Sequence, residues 1–371
     1  MAIRKRPAAA VAMPMGGQAL KKRRVVVAKR TCPSPSTSAI KKPAVAYAST
    51  ADYELETPCL GEGAFGVVFK ARHRATGQAV AIKFFASQPP EFAASAPDPR
   101  ELLREARLLE AACDGNPHVV GFHCVVRNPY TGEHGLVMDL VAGQSLRDIL
   151  DERSSAPPLP EATVRAFMRQ LLTGAKGMQD RDIVHRDIKP ANLLVADAED
   201  GEVLKICDFG LAISASDPPP HSEAGTMLYT APEVLAGKPD HDALVDAWSI
   251  GCVMAELVGG EVLLLRAGVE DALLDLQRLC ATQEIAYLWT IFGLLGTPDD
   301  VTWPEFASLP RAAKMPPLKL GQRSRLRELF PEETLSDEGF EVLSGLLTCS
   351  PEKRLTAADA LKLPWFAADE D

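Results

Sequence analysis

The stretch IVHRDIKPANLL, residues 183–194, decides how this chain is interpreted, together with the stretch KICDFG at 205–210. Between apolar pairs they place two carboxylates, Asp187 and Asp208, the ammonium of Lys189 and the amide of Asn192. Polar groups at the rim of a core usually converge on a metal ion or a charged ligand. The two stretches, in this order, therefore predict one shared site rather than two unrelated loops.

A glycine run, GEGAFGVVFK at 61–70, lies upstream of these stretches and fits the spacing G-x-G-x-x-G. That spacing alone is a weak signal, because it occurs both in dinucleotide-binding turns and in hairpins that cover the phosphates of ATP. A dinucleotide fold requires a helix directly after the glycines. Here Val67, Val68 and Phe69 predict a strand instead, and a Thr76-Gly77 turn leads to a second strand at 80–82. This order disfavours the dinucleotide interpretation.

A lysine, Lys83, closes that second apolar strand. Burying an ammonium group is costly unless it has a partner. Glu105 is the obvious partner, since it lies in a predicted helix at 100–112 with apolar residues at helical spacing. The residues alone leave a second possibility open, in which Lys83 is a surface residue at a strand end and Glu105 is one of several charges on a helix face.

The composition is typical of a globular protein, with 46% hydrophobic and 24% charged residues in a chain of 371. This length predicts two domains, or two lobes around one cleft. Eight cysteines are scattered without a C-x-x-C pair, so neither a zinc site nor a disulfide framework is indicated, and a reducing compartment is the simpler interpretation. No apolar run is long enough to span a bilayer, and a membrane partner is not expected.

Charge divides the chain into two parts. The first 42 residues contain eleven lysines and arginines and no acid, which gives them a charge of +11. The net charge of the whole chain is −10, so the remaining residues carry −21. An acidic globule is a poor electrostatic match for nucleic acid, so a nucleic-acid partner is not expected.

Residues 1–50 predict a disordered basic arm, because they contain too few large apolar side chains to fold alone. Lys5-Arg6 and, after a spacer, the basic run 21–24 indicate a two-part nuclear import signal. The expected localisation is nuclear, with the cytoplasm as a second compartment. A solvated arm that keeps the protein soluble and an organelle transit peptide remain as alternatives.

Taken in chain order, G-x-G-x-x-G-x-V, A-I-K, H-R-D-I-K-P-x-N, D-F-G and Ala231-Pro232-Glu233 resemble the signature set of the protein kinases. The resemblance covers about 50–368. It implies an α+β fold with two lobes: a small N-terminal β-sheet lobe with one helix at 51–140 and a larger, mainly helical C-terminal lobe at 141–368. It also implies transfer of the γ-phosphate of ATP to serine and threonine hydroxyls of protein substrates.

The same resemblance implies a role for each site residue. The catalytic residues would be Asp187, as proton acceptor of the substrate hydroxyl, Lys189, which neutralises charge on the phosphoryl group, and Lys83, which Glu105 holds. Asn192 and Asp208 would bind Mg²⁺, a hard cation that prefers oxygen ligands. The ATP-binding residues would be Leu60, Gly61, Glu62, Gly63, Ala64, Phe65, Gly66, Val68, Ala81, Lys83, Glu105, Met138, Leu140 and Leu194. Two scaffold contacts are implied as well, an ion pair between Glu233 and Arg354 and a brace from Asp246 to the catalytic loop.

One branch of the family is indicated by the run IFGLLGTPDDVTWP at 291–304, which resembles the insert of cyclin-dependent kinases. The run PRELLRE at 99–105 lies where those kinases carry a related helix. This resemblance implies a cyclin-dependent kinase-like enzyme of cell-cycle or transcription-related signalling, with the plant F-type as the indicated subtype. It also implies a cyclin as a possible partner. The alternative is a pseudokinase or nuclear scaffold without turnover.

The chain also departs from the pattern of that branch. Arg104 and Arg186 match two arginines of a phosphate-binding cluster, but Ile213 occupies the third position and His221 the position of the phosphate acceptor. Thr230 replaces an arginine on which proline-directed specificity partly depends. An extra stretch within 261–283 predicts an amphipathic helix, either packed on the large lobe or free to bind a partner.

Overall fold

The computed structural model describes residues 47–63, 66–85, 99–154, 156–199, 201–215, 225–267, 282–316 and 321–369. They belong to one folded unit, Val45–Asp371. Residues 1–46 of the predicted basic arm lie outside the described residues. The predicted arm boundary at 50 is too late, because Ala48–Ser49 already form a strand that pairs with a strand of the small lobe.

The strands are β1 Ala48–Ser49, β2 Tyr53–Leu55, β3 Gly61–Gly63, β4 Gly66–His73, β5 Ala79–Phe84, β6 Phe122–Arg127, β7 His134–Asp139, β8 Gly143–Ser145, β9 Ile183–Val184, β10 Leu193–Ala198, β11 Gly201–Ile206 and β12 Ile213–Ser214. The helices are α1 Pro99–Cys113, α2 Leu146–Glu152, α3 Glu161–Gln179, α4 Pro232–Leu235, α5 Leu244–Gly259, α6 Leu263–Arg266, α7 Gln283–Leu295, α8 Leu326–Leu329, α9 Asp337–Leu346 and α10 Ala357–Ala360. Short 3₁₀ helices lie at Thr50–Asp52, Pro190–Asn192, Met227–Tyr229, Pro304–Ser308, Ala312–Lys314, Pro351–Lys353 and Pro364–Asp369.

The small lobe is a twisted sheet with one helix. Its strand order is β1-β6-β7-β5-β4-β2, and β3 pairs with β4. β4 and β5 form the hairpin that the sequence predicts, with its turn at 74–76. Helix α1 covers the predicted segment 100–112 and packs its apolar face, including Leu102, Ala106 and Leu109, into the core beside β6 and β7.

Strand β6 begins at Phe122, and the valines at 119–120 that precede it lie outside the strand. Val119 forms a single bridge to Ile206 instead, and the amide of Val120 donates to the Ile206 carbonyl at 3.0 Å. The backbone groups at 118–120 are therefore used to connect the small lobe to β11 of the large lobe.

The large lobe is built around α5, which is buried along almost its whole length. A helix that is apolar on all sides requires neighbours on all sides, and α3, α6 and α9 lie against it. Gly260 ends α5 with φ 75°, the left-handed conformation that glycine adopts without strain. Of the predicted amphipathic helix at 261–283, the structure describes only α6 and its flanks, since residues 268–281 lie outside the described residues. Within the described part of the chain, no helix is long and apolar enough to cross a bilayer.

Candidate active site

A buried carboxylate of α5 fixes the catalytic loop, which is the segment that joins β9 to β10. Asp246 accepts hydrogen bonds from the backbone amides of His185 at 2.7 Å and Arg186 at 2.8 Å. Burial raises the pKa of the Asp246 carboxyl, while the two amide donors and His185 act in the opposite direction. These contacts hold Arg186 at φ 66°, a conformation that is uncommon outside glycine. The brace that the resemblance implies is thus confirmed.

Asp187, the next residue, is surrounded by donors. Its carboxylate accepts from Lys189 Nζ at 2.8 Å and from Asn192 Nδ2 at 3.0 Å, and the same amide nitrogen donates to the Asp187 carbonyl at 2.8 Å. The hydroxyl of Thr226 donates to Asp187 Oδ1 at 2.8 Å and accepts from Lys189 Nζ at 2.8 Å. The structure therefore brings together three predicted site residues and adds one, Thr226.

The sequence does not indicate the role of Thr226. The only available signal is its position five residues before Ala231-Pro232-Glu233, and that distance does not predict a hydrogen bond to a loop 39 positions upstream. The backbone that follows Thr226 forms a short 3₁₀ turn, in which the amide of Tyr229 donates to the Thr226 carbonyl at 2.8 Å.

The second charged cluster joins the two lobes. Lys83 Nζ lies 2.8 Å from Glu105 Oε1 and 2.7 Å from Asp208 Oδ1. Burial alone would lower the pKa of the Lys83 ammonium, but the carboxylates of Glu105 and Asp208 outweigh burial and raise it. The Lys83–Glu105 pair predicted from the sequence is confirmed, and the alternative of a surface lysine is wrong.

Asp208 is the most exposed member of this cluster, because its side chain is 27% exposed, against 6% for Lys83 and 3% for Glu105. Burial works against its charged form, but Lys83 outweighs it, and the pKa of the Asp208 carboxyl lies below its usual value. The carboxylate is therefore ionised and accessible from the cleft, which is what a cation ligand requires.

The apolar residues among the predicted ATP-binding positions come from both lobes. Ala81 and Met138 are cross-strand neighbours in the β5–β7 pair and are buried, while Val68 lies opposite Lys83 in the β4–β5 pair. Leu140 follows β7 on the path to the large lobe, and Leu194 belongs to β10 on the other side of the cleft; both are half-buried. The chain thus places apolar side chains on both sides of the cleft, as a flat aromatic base requires.

The glycine run forms a β-hairpin, in which Gly61 pairs with Val68 and Gly63 with Gly66. Leu60 and Glu62 are exposed at its edge, and the predicted residues Ala64 and Phe65 lie outside the described residues. A Cβ on Gly61 or Gly63 would meet no atom within 4 Å, so both positions leave space beside the backbone.

Gly66 is also required by packing within the sheet, beside the ATP-binding role that the resemblance implies. Its φ is 132°, and an added Cβ would lie 2.0 Å from the carbonyl oxygen of Phe84. The backbone of β5 therefore requires a glycine here, independently of any phosphate.

The two predicted metal ligands, Asn192 and Asp208, present an amide and a carboxylate oxygen, the donor types that Mg²⁺ prefers. Among the described residues, no group of three or more His, Cys, Asp or Glu side chains is arranged to hold a metal ion. This donor set fits a magnesium ion that completes its coordination with phosphate oxygens and water rather than a closed protein cage.

The two predicted phosphate-binding arginines lie close to the loop that follows Asp208. Arg104 Nη2 donates to the Gly210 carbonyl at 3.3 Å, and Arg186 Nε donates to the Leu211 carbonyl at 2.8 Å. Burial lowers the pKa of Arg186, and the nearby charge of Arg104 adds to this effect. Ile213 is buried in the β9–β12 pair, and the predicted acceptor position, His221, lies outside the described residues.

The other implied ion pair is confirmed in the large lobe. Arg354 forms two parallel hydrogen bonds to the carboxylate of Glu233, at 2.7 and 2.6 Å, and both residues are buried. The pair connects the Ala231-Pro232-Glu233 segment to the C-terminal part of the lobe.

Comparisons with known proteins agree with this geometry. The protein kinase domain family matches residues 55–366. A protein of Oryza sativa subsp. japonica, provisionally named cyclin-dependent kinase F-2, is 42% identical over 83% of this chain and 88% of its own length. Cyclin-dependent kinase G1 of Arabidopsis thaliana is 36% identical over 83% of this chain but only 48% of its own length, and cyclin-dependent kinase 20 of Homo sapiens is 34% identical over 83% and 81%. The chain belongs to the protein kinase family, in its cyclin-dependent kinase-like branch.

Proposed function

We propose that this protein kinase transfers the γ-phosphoryl group of ATP, with Mg²⁺, to serine and threonine hydroxyls of protein substrates. The observation that carries the proposal is the Asp187 cluster, in which a carboxylate is held by Lys189, Asn192 and Thr226 at 2.8–3.0 Å. A carboxylate fixed in this way is suited to accept the proton of a hydroxyl nucleophile.

Each charged residue has a separate task in this proposal. Asp187 accepts the proton, and Lys189, 2.8 Å away, offsets negative charge that develops on the transferred group. Lys83 holds phosphate oxygens and is kept in place by Glu105. Asn192 and Asp208 hold Mg²⁺, which neutralises phosphate charge when it is bound. Positioning and charge stabilisation then supply most of the catalysis, as is typical of phosphoryl transfer.

The experiment is a transfer assay with γ-labelled ATP and a mixture of protein substrates, followed by identification of the labelled amino acids. We expect label on serine and threonine, in a Mg²⁺-dependent reaction that a chelator abolishes. Label confined to tyrosine would overturn the proposed acceptor class.

The second candidate is a pseudokinase or scaffold that binds partners without turnover. Loss of a charged site residue would favour it, but Lys83, Asp187, Asn192 and Asp208 are all present, and the Lys83–Glu105 pair is formed. Binding of ATP without any transfer to protein would support this candidate.

Partners and pathway are proposed from the relatives, whose names state dependence on cyclins. We place the chain in cell-cycle or transcription-related signalling, with a cyclin as a candidate partner. The exposed side chains of α1 at Glu101, Arg107 and Glu110 are charged, and the Lys83–Glu105 pair forms in the single chain. Basal activity of the isolated chain is therefore expected. Activity that is seen only after a cyclin is added would show that the single chain is incomplete.

Nuclear localisation is likewise a proposal, supported by the basic runs at 5–6 and 21–24. A fluorescent protein fused to residues 1–42 should concentrate in the nucleus. The matched control replaces residues 21–24 by alanine and should remain in the cytoplasm. Fluorescence in mitochondria or plastids would support the transit-peptide alternative.

A further inference from the structure

A buried carboxylate of α5 is bound by an arginine from a different helix. Glu256 is only 2% exposed, and its Oε1 accepts from Nη2 of Arg147 on α2 at 2.5 Å. Its other oxygen accepts from the hydroxyl of Tyr229 at 2.7 Å. The same Arg147 nitrogen lies 3.1 Å from the Tyr229 hydroxyl, so the three groups form a closed triangle.

The triangle depends on a guanidinium group. Burying a carboxylate is costly unless a cation pairs with it, and Arg147 supplies that cation beside Glu256 while staying one-third exposed. A second nitrogen, Nη1, meets Asp151 one turn later in α2 at 3.2 Å, which fixes the orientation of the planar group. Arg147 therefore enters the Glu256–Tyr229 pair from the solvent side, as a bound guanidinium ion would.

Tyr229 connects this triangle to the catalytic base. Its carbonyl accepts from the hydroxyl of Ser249 at 2.8 Å, and its amide donates to the carbonyl of Thr226 at 2.8 Å. The Thr226 hydroxyl in turn donates to Asp187. The hydroxyl, the amide and the carbonyl of Tyr229 are thus all hydrogen-bonded, and the short 3₁₀ helix Met227–Tyr229 connects Tyr229 to Thr226.

We propose that Glu256 and Tyr229 form a guanidinium-binding site, that the chain's own Arg147 fills this site, and that Arg147 is thereby a positioning residue for Thr226 and Asp187. Arg147 touches no reacting atom in this account. The proposal rests on the proposed function, because Asp187 is taken as the proton acceptor.

The test is chemical rescue of Arg147→Ala in the full chain. A small misplacement of a catalytic group can cost about a hundredfold in rate. We expect kcat to fall by about tenfold to a hundredfold while the KM for ATP changes by less than about twofold, since the nucleotide contacts are untouched. Ethylguanidinium, far below denaturing concentrations, should then restore kcat along a saturable curve, because it occupies the vacated place beside Glu256.

Two further variants serve as controls. Arg325→Ala removes an arginine that pairs with Glu328 on the surface, so it should keep wild-type kcat and show no response to ethylguanidinium. Tyr229→Phe keeps the ring but removes the hydroxyl, and it should lower kcat without being rescued. If Arg147→Ala does not fold, Tyr229→Phe and Arg147→Lys carry the test, and wild-type kcat in both would overturn the proposal.

A readout that is independent of activity separates this inference from the proposed function. Hydrogen exchange of the amides of Tyr229 and Thr230, which donate to Thr226 and Met227, should be faster in Arg147→Ala and slow again with ethylguanidinium. A wild-type chain without turnover would defeat the proposed function, yet this exchange pattern would still support the guanidinium site. Unchanged exchange, or turnover of Arg147→Ala at the wild-type rate, would overturn the inference.

Discussion

Two buried ion clusters of this kinase use similar residue types to different ends. Arg354 is paired with one carboxylate, Glu233, and each of its three guanidinium nitrogens also donates to a backbone carbonyl, those of Thr348, Leu244 and Cys349, at 2.7–3.1 Å. Lys83, in the cleft, meets two carboxylates, of which that of Asp208 is partly exposed. The first cluster is balanced in charge and shielded from solvent, whereas the second brings two negative charges to one positive charge.

The difference shows which buried charges are scaffold and which are suited to a ligand. A buried pair whose charges balance and whose donors are all hydrogen-bonded does not bind a further ion, and breaking it lowers the free energy of unfolding. A cluster with surplus negative charge facing a cleft attracts a further cation, and removing one of its carboxylates lowers activity. Mutations in the two regions should therefore separate activity from stability.

The largest expected effect is on turnover, from Asp187→Asn. The substitution keeps the shape of the side chain but removes the proton acceptor, which costs about 10²–10⁴-fold in kcat. ATP binding and thermal stability should stay near wild type, because the neighbouring donors can still contact an amide oxygen. Initial rates and a thermal melt measure both quantities, and turnover within a few-fold of wild type would remove Asp187 from its assigned role.

Next in size is the loss of the scaffold pair, through Arg354→Leu. This change leaves Glu233 as a buried, unpaired charge, which costs about 3–5 kcal/mol of unfolding free energy. Denaturant unfolding measures it, with Arg325→Ala as the surface control, expected to cost less than about 1 kcal/mol. Equal stability of the two variants would show that the buried pair is not a scaffold contact.

A smaller effect separates two glycines of one hairpin. Gly66→Ala places a Cβ against the Phe84 carbonyl at a φ of 132°, so we expect a loss of about 1–3 kcal/mol from backbone strain alone. Gly61→Ala has open space around its Cβ and should leave the unfolding free energy almost unchanged. If both variants melt alike, the distinction between a packing glycine and a ligand-facing glycine is lost.

The smallest expected effect is a change in how the free energy of unfolding depends on pH, and it comes from His241. Burial lowers the pKa of His241, and the charge of Arg186 adds to this. The unfolded chain therefore binds a proton that the folded chain resists, so this contribution to stability is complete above about pH 6.5 and is lost as the pH falls below it. Unfolding free energies of wild type and His241→Gln across this range should show a shallower decline for the variant. Parallel curves would exclude His241 as a source of the decline.

The sequence predicts those parts of the site in which a charged residue lies within a strand or helix that is itself recognisable from its local pattern. Lys83 at the end of an apolar strand and Glu105 on a helix face are of this kind, because a buried charge demands a partner. Arg147, Tyr229 and Glu256 lie on three separate elements, up to 109 positions apart, and no local pattern couples them. The strand Ala48–Ser49 is too short to show periodicity, and Gly66 has the same spacing signal as Gly61 although its physical role differs.

The most direct test of the central claim is transfer of labelled γ-phosphate to protein by wild type and by Asp208→Asn, each with and without Mg²⁺. We expect transfer by wild type only when Mg²⁺ is present, and a loss of Mg²⁺-dependent transfer in the variant while its thermal stability is kept. A wild-type chain that binds ATP but transfers nothing, or an Asp208→Asn variant that transfers phosphate at the wild-type rate, would contradict the claim.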